Sequence, residues 1–303
     1  MAPTPALTIT IEPGTADDPE IHIHAGGQGF WVARMASLIG AEVTVCAALG
    51  GESGDVLRSL IDASGVRLKA VECEAWSGAY IHDRRGGERC TVAETQSPRL
   101  TRHEADGLYG LTLAAGLEAE VVLLTGTSSR SLDADFFRRL ATDLGENGVS
   151  VMADLSGDQL QAALAGGLQL VRVSEDQVVE DGYASSTEEA ELVAGLGRIC
   201  EAGARNAVVS RAGRPALARV EERLLELRPP RVEPLETRGA GDSQSAAIAA
   251  QLGSGATLED ALRFGTAAGA LNVTRRGLGS GDRASIEELV QHVEVVERTM
   301  YRE

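Results

Sequence analysis

Short apolar runs that alternate with longer stretches of helical period constrain this chain more than any other feature. Ala6–Ile11, Glu42–Ala48, Ala119–Thr125, Gly148–Asp154, Leu168–Val173 and Asn206–Ser210 read as strands. Gln28–Ile39, Gly54–Ala63, Asp133–Glu146 and Thr187–Ala202 read as helices between them. Parallel neighbours need a crossover, usually a helix, so this rhythm predicts an α/β fold: a doubly wound, mainly parallel sheet with helices on both faces. Hydrophobic residues make up 43% of the chain and aromatics only 3%. The core is therefore mostly Ala, Val, Leu and Ile, as strands buried on both faces require. With 303 residues, one such domain spanning 1–303 is the economical reading.

Two regions break the alternation. Residues 67–95 read as successive short β segments around the turn Asp83–Glu88, and residues 213–228 read as a hairpin. Segments at about 13–25 and 74–95 are expected to form a small β lid. From Thr237 onward the pattern is mostly helical, and Glu287–Arg298 reads as an amphipathic helix packed on the sheet.

A formal net charge of -17 argues against a nucleic-acid partner, since neutralising phosphates takes an excess of Lys and Arg. Cys46, Cys73, Cys90 and Cys200 contain no CxxC pair, which points to free thiols in a reducing compartment. The start, MAPTPALTITIEPG, lacks the basic and apolar regions of a secretory signal, and no run reaches membrane-span length. A cytoplasmic protein without a membrane partner is expected. His22 and His24 alternate on one strand face without an obvious third ligand, so they read as surface or lid residues.

The stretch Glu236–Leu252, ETRGAGDSQSAAIAAQL, carries the most chemistry. Gly239, Ala240 and Gly241 make a loop nearly free of side chains that runs into a helix. Its unpaired N–H groups stand at the positive end of the helix dipole and suit phosphate. Asp242 falls in the first turn. It is either an N-cap or a base placed beside the anion site, and a carboxylate next to phosphate is a poor choice for a merely structural cap.

The run Thr237-Arg238-Gly239-Ala240-Gly241-Asp242 resembles the C-terminal signature of the ribokinase-like, or pfkB-type, carbohydrate kinases. Ala25–Ser37, AGGQGFWVARMAS, resembles that family's GGKGxN segment. Asp154–Leu164, DLSGDQLQAAL, resembles the DTSG segment of the 1-phosphofructokinase and tagatose-6-phosphate kinase branch. The resemblance spans about Thr8 to Glu288. It implies a ribokinase-like fold and transfer of the γ-phosphoryl group of ATP, with Mg²⁺, to a sugar or sugar phosphate. Asp242 would be the general base and Gly239, Ala240 and Gly241 the anion hole. It further implies sugar contacts from Asp17, Gly26, Gly27, Gln28 and Trp31. Nucleotide contacts would come from Ser174, Gln177, Ser210, Thr237, Gly239, Gly241 and Asn272, with Glu175 near the metal. A homodimer through the lid is also implied.

Several positions depart from the family pattern. The early Asn-Pro-Ala-x-Asp is replaced by Glu12-Pro13-Gly14-Thr15-Ala16-Asp17, so Asp17 or Asp18 reaches the sugar only in a shifted register, and the first half of the lid looks trimmed. Gln28 replaces the lysine that faces the substrate's phosphate, and Trp31 replaces a sugar-contacting Asn. Ser77-Gly78 stands where the branch has Thr-Arg, leaving Arg84, Arg85 and Arg89 as alternative sources of charge. Ser174-Glu175-Asp176-Gln177 replaces Asn-x-x-Glu. These losses carry a second expectation, a sensor or scaffold that binds sugar or nucleotide without turnover.

Overall fold

The computed structural model describes residues 1–14, 18–127, 131–275 and 280–298. Strands β1 (Ala6–Glu12) and β2 (Glu20–Gly26) lead into helix α1 (Gln28–Leu38), strand β3 (Thr44–Leu49), helix α2 (Gly51–Asp62) and strand β4 (Arg67–Glu72). A hairpin of β5 (Ala79–Asp83) and β6 (Cys90–Thr95) precedes helix α3 (Arg102–Gly116). Strict alternation follows: β7 (Val121–Thr125), α4 (Ala134–Glu146), β8 (Ser150–Asp154), α5 (Gly157–Gly166) and β9 (Leu170–Ser174). Helices α6 (Glu175–Glu180) and α7 (Glu189–Glu201) lead to β10 (Asn206–Arg211) and the hairpin β11 (Arg214–Val220) and β12 (Arg223–Arg228). Helices α8 (Ala240–Gly253), α9 (Leu258–Val273) and α10 (Arg283–Val290) come next, and β13 (Glu294–Arg298) follows them.

The main sheet runs in the order β13-β12-β11-β10-β9-β8-β7. Strands β7 to β10 are parallel, and β10 to β13 are joined antiparallel. Period two is visible inside β8. Val151 and Ala153 pack with α4 and α5 residues such as Phe137, Leu140 and Leu160, while Met152 packs on the other side with Ile248 and Leu262. Both faces are thus buried, as the sequence predicts.

Strands β3 and β4 form a separate parallel pair. The first residues of the chain lie between this pair and β7. Ala2 N donates to Cys46 O at 3.1 Å, Ala48 N to Pro3 O at 2.8 Å, and the Met1 ammonium to Leu123 O at 2.6 Å. Pro3 and Pro5 have no N–H to give, so the ladder stays incomplete. The strand expected from Ala6 onward forms, but it lies beyond this bridge, in a second sheet ordered β2-β1-β5-β6.

That second sheet contains the segments expected to form a lid, and its two faces differ. Register places Thr8, Thr10, His22, His24, Tyr80 and His82 on one face and Ile9, Ile11, Ile21, Ile23 and Ile81 on the other. Thr8, Thr10 and His82 are buried, whereas Ile21 and Ile23 are 64% and 53% exposed. The β1–β2 pairing is complete over seven residues, so the short span costs the lid no pairing on this side. One expectation fails at the C-terminal end: Glu287–Arg298 is not a single helix. Helix α10 stops at Val290, and Glu294–Arg298 pairs with β12. The run Val293-Glu294-Val295-Val296 alternates as a strand does, and pairing with β12 outweighs its weak helical period.

Candidate active site

Five elements converge at the carboxyl ends of the parallel strands. Strand β8 ends in Asp154, β9 carries Arg172 two residues before its last residue, Ser174, and Ser210 of β10 lies opposite Ser174. Helix α1 brings Gln28 and helix α8 brings Asp242. Gly27 caps α1 at φ 95°, and Gly239 caps α8 at φ 73°, a left-handed conformation that glycine adopts without cost. No side chain caps the first turn of α8. The first amides of that turn are therefore left without a side-chain partner. Ser243 N bonds back to Gly239 O at 2.9 Å and closes the first helical ring.

Beneath the loop lies a buried ionic network. Asp154 accepts from Gln28 Nε2 at 2.8 Å and Ser245 Oγ at 2.5 Å, and Arg172 Nη1 stands 3.6 Å from it. Arg172 Nη2 donates to Ser210 Oγ at 2.6 Å. A Cβ on Gly241 would fall 2.1 Å from Arg172 Nη2, so the loop rests directly on the guanidinium. Arg172 Nε is buried without a partner. Burial and then the Asp154 charge push the Asp242 carboxyl up to about 7, against the opposing pull of Arg172 and a hydrogen bond from Gln28.

The candidate residues fall into three groups. Asp242, Gly239, Ala240, Gly241 and Gln28 come together. Gln28, expected at the sugar, has its amide on Asp154 and Asp242. Gly26 sits against Thr8, where a Cβ would meet Oγ1 at 2.3 Å. Thr237 is exposed just before the loop.

A second group is engaged elsewhere. Trp31 is only 8% exposed and packs on Phe30 and His24, with ring centroids 5.4 Å apart in each pair. It is a core residue of α1, not a sugar platform. Asn272, expected at the nucleotide, is 1% exposed. Its Nδ2 donates to Arg238 O at 2.7 Å and its Oδ1 accepts from Ser243 Oγ at 3.0 Å, so it holds the loop from behind. Ser174 and Gln177 form a capping box on α6: Gln177 N reaches Ser174 Oγ at 3.2 Å and Ser174 N reaches Gln177 Oε1 at 2.8 Å. Ser210 is committed to Arg172. Glu175 is ion-paired to Arg214. The third group is Asp17, which lies outside the described residues.

Among the described residues no group of three or more His, Cys, Asp or Glu side chains could hold a metal ion. Asp154 is closed by Gln28, Ser245 and Arg172, and Glu175 by Arg214. The protein side chains thus do not fit a magnesium ion held by the chain; magnesium of this kind travels on nucleotide phosphate oxygens and waters.

Sequence reasoning missed Asp154 and Arg172. The signals were an Asp closing the apolar run SVMAD and a lone Arg inside LVRVS, since a charge in a buried strand needs a partner.

The model of the pfkB family carbohydrate kinases matches residues 4–284. The chain belongs to that family. Its relatives include the ATP-dependent 6-phosphofructokinase isozyme 2 of Escherichia coli, 28% identical over 256 residues, covering 83% of this chain and 82% of the relative. The 1-phosphofructokinase of Vibrio cholerae is 25% identical over 275 residues, covering 90% and 86%. The crystal structure of phosphofructokinase-2 from Escherichia coli in complex with potassium superimposes with a TM-score of 0.86 at 24% identity, covering 96% of this chain and 97% of that one. The fold is therefore ribokinase-like, and as a pfkB carbohydrate kinase the chain is a phosphotransferase. Among the described residues no helix is long and apolar enough to cross a membrane.

Proposed function

We propose that this chain is an ATP-dependent sugar or sugar-phosphate kinase of phosphofructokinase type, working as one domain with its lid, and that Asp242 is its general base. The observation that carries this is the Asp242 carboxyl in the first turn of α8, pushed up to about 7 beside an uncapped helix end. A base works best when its pKa lies near the operating pH. The phosphofructokinase and tagatose-6-phosphate kinase relatives support the substrate class.

In this reading Asp242 takes the proton of the acceptor hydroxyl as that oxygen bonds to the γ-phosphorus. The bond from the γ-phosphorus to the bridging oxygen breaks, and ADP leaves with the electron pair. The N–H groups of Gly239, Ala240 and Gly241 face the charge on the transferring group, and the positive Arg172 beneath Gly241 adds to that field. Gln28 holds the Asp242 carboxylate by its amide, and Asp154 keeps Arg172 and Gln28 in place. Magnesium carried on the nucleotide would supply charge neutralisation there, with no side chain of this chain holding it.

Replacing Asp242 by Asn keeps the shape and removes the base. We expect kcat to fall by about 10² to 10⁴ with little change in ATP binding. Full activity in that variant would refute the assignment. The capping-box engagement of Ser174 and Gln177 favours the other reading, binding without turnover. ADP release with Mg-ATP and a sugar and sugar-phosphate panel decides between them, since a sensor or scaffold binds and releases none.

We also propose that the chain forms a homodimer through the apolar lid face. Ile21 and Ile23 on that face are too exposed to serve the monomer's core.

A further inference from the structure

Helix α9 packs on α8 through two glycines. A Cβ on Gly265 would meet Gln244 O at 3.1 Å, and one on Gly269 would meet Ala240 O at 3.2 Å. Moving forward along α9 thus moves back along α8. Residues three or four apart share a helix face, so the next turn of this face brings Asn272 and Val273 opposite the loop that precedes α8. Val273 O accepts from Leu235 N at 2.7 Å and from Glu236 N at 3.2 Å. Asn272 Nδ2 donates to Arg238 O at 2.7 Å, and its Oδ1 accepts from Ser243 Oγ at 3.0 Å, which settles which way the amide faces. Asn272 is 1% exposed and Ser243 0%. An apolar side chain at position 272 would leave Ser243 Oγ buried and Arg238 O facing no donor.

The consequence lies one atom further along the backbone. A trans peptide is planar, so its C=O and N–H point in opposite directions. With Arg238 O turned to the buried Asn272, the N–H of Gly239 is turned away from α9, and Gly239 itself is half-buried. That N–H has no hydrogen-bond partner among the described residues. The next peptide plane is fixed as well, because Gly239 O accepts from Ser243 N at 2.9 Å. Ser243 therefore grips both planes around Gly239, one through its own N–H and the other through Asn272.

On this ground we infer that Asn272 is a positioning residue for phosphoryl transfer: by holding the Arg238 carbonyl it aims the Gly239 N–H at the group being transferred. This deepens the kinase reading and rests on it, since that reading places Gly239 in the anion hole. Glycine accepts either sign of φ, so the peptide between Arg238 and Gly239 turns easily unless its carbonyl is held. The left-handed cap of α8 needs that freedom, at φ 73°, and Asn272 takes the surplus away. A donor helps the transition state most when it is already aimed and need not reorganise. Asparagine suits the task because its amide accepts from Ser243 on one side and donates to the loop on the other.

The test labels arginine carbonyls with ¹³C and glycine amides with ¹⁵N, which selects three pairs in this sequence, Arg85–Gly86, Arg238–Gly239 and Arg276–Gly277. The probe is a magnesium complex of an ATP analogue with a non-hydrolysable imido bridge between the β and γ phosphorus atoms. In the unsubstituted protein the Gly239 amide proton is expected to move downfield when the analogue is added, while the Gly86 signal stays in place. That shift should shrink in Asn272→Leu and in Asn272→Asp, which keeps the shape and serves should the leucine variant not fold. With Mg-ATP and a sugar phosphate that is turned over, both should lower kcat by about 10- to 100-fold and leave the KM for ATP within a few fold. Ser243→Ala leaves the donor but frees the amide to turn, so its loss should be smaller. A lower Tm with the Gly239 shift and kcat intact would make Asn272 a packing residue only and overturn the inference. A Gly239 amide that ignores the bound analogue in the unsubstituted protein overturns it too. A chain that releases no ADP, yet whose Gly239 shift depends on Asn272, keeps the aiming role and loses the kinase reading. An active kinase whose Gly239 shift survives both substitutions does the reverse.

Discussion

At Asp242 the environment opposes ionisation from two sides. The carboxyl is half-buried, and the charge of Asp154 adds to the effect of that burial. A base must be ionised to accept a proton, so kcat/KM should rise with pH through a limb near 7 and flatten above it. Asp154 raises the Asp242 pKa, so Asp154→Asn should move that limb to lower pH. Arg172 lowers it, so Arg172→Met should move the limb up. A pH–rate profile measured on all three proteins checks both directions, and a limb that stays put in Asp154→Asn removes the coupling. The GAGD run made Asp242 legible in the sequence. Its partners were not legible, because Asp154 and Arg172 lie 88 and 70 residues upstream on separate strands. Nothing local in SVMAD or LVRVS says which opposite charge each will find.

Helix α8 shows how an element turns a short motif into a site. Its cap needs a left-handed residue, Gly239, and its second residue must let a buried guanidinium approach. Gly241→Ala is therefore expected to be harmful even though alanine favours helices. Arg172 is pinned by Ser210 and Asp154, so the new methyl group displaces the loop and not the arginine. Overpacking of this kind costs about 1–3 kcal/mol. Activity should fall roughly 10-fold or more because the displaced amides are the proposed anion hole. Thermal midpoint and kcat measured together test this, and near-normal values for both would show that the contact is slack. Strand β13 teaches the converse lesson. Its residues carry enough helical period to read as a continuation of α10, and the free edge of β12 decided otherwise.

On the scale of the whole molecule the lid sheet has the clearest consequence. Its polar face turns Thr8, Thr10 and His82 inward, and its opposite face leaves isoleucines in water. An open apolar sheet face of this sort is covered most simply by a second copy related by a two-fold axis. Sedimentation velocity should show a dimer, and Ile21→Glu with Ile23→Glu should shift it towards monomer by placing charges on that face. A monomer at all concentrations in the unsubstituted protein would end the dimer proposal. Much of the architecture was open to reading: the alternation of strands and helices and the glycine-rich start of α8 follow from local pattern. Apolar periodicity and glycine placement are properties of neighbouring residues, so a linear text records them. Two matters were settled by packing across the molecule. Trp31 went to the core, and the first strand left the main sheet for the second one. Burial, strand pairing and charge all depend on residues distant in the chain, and their positions exist once the sheet has brought them together.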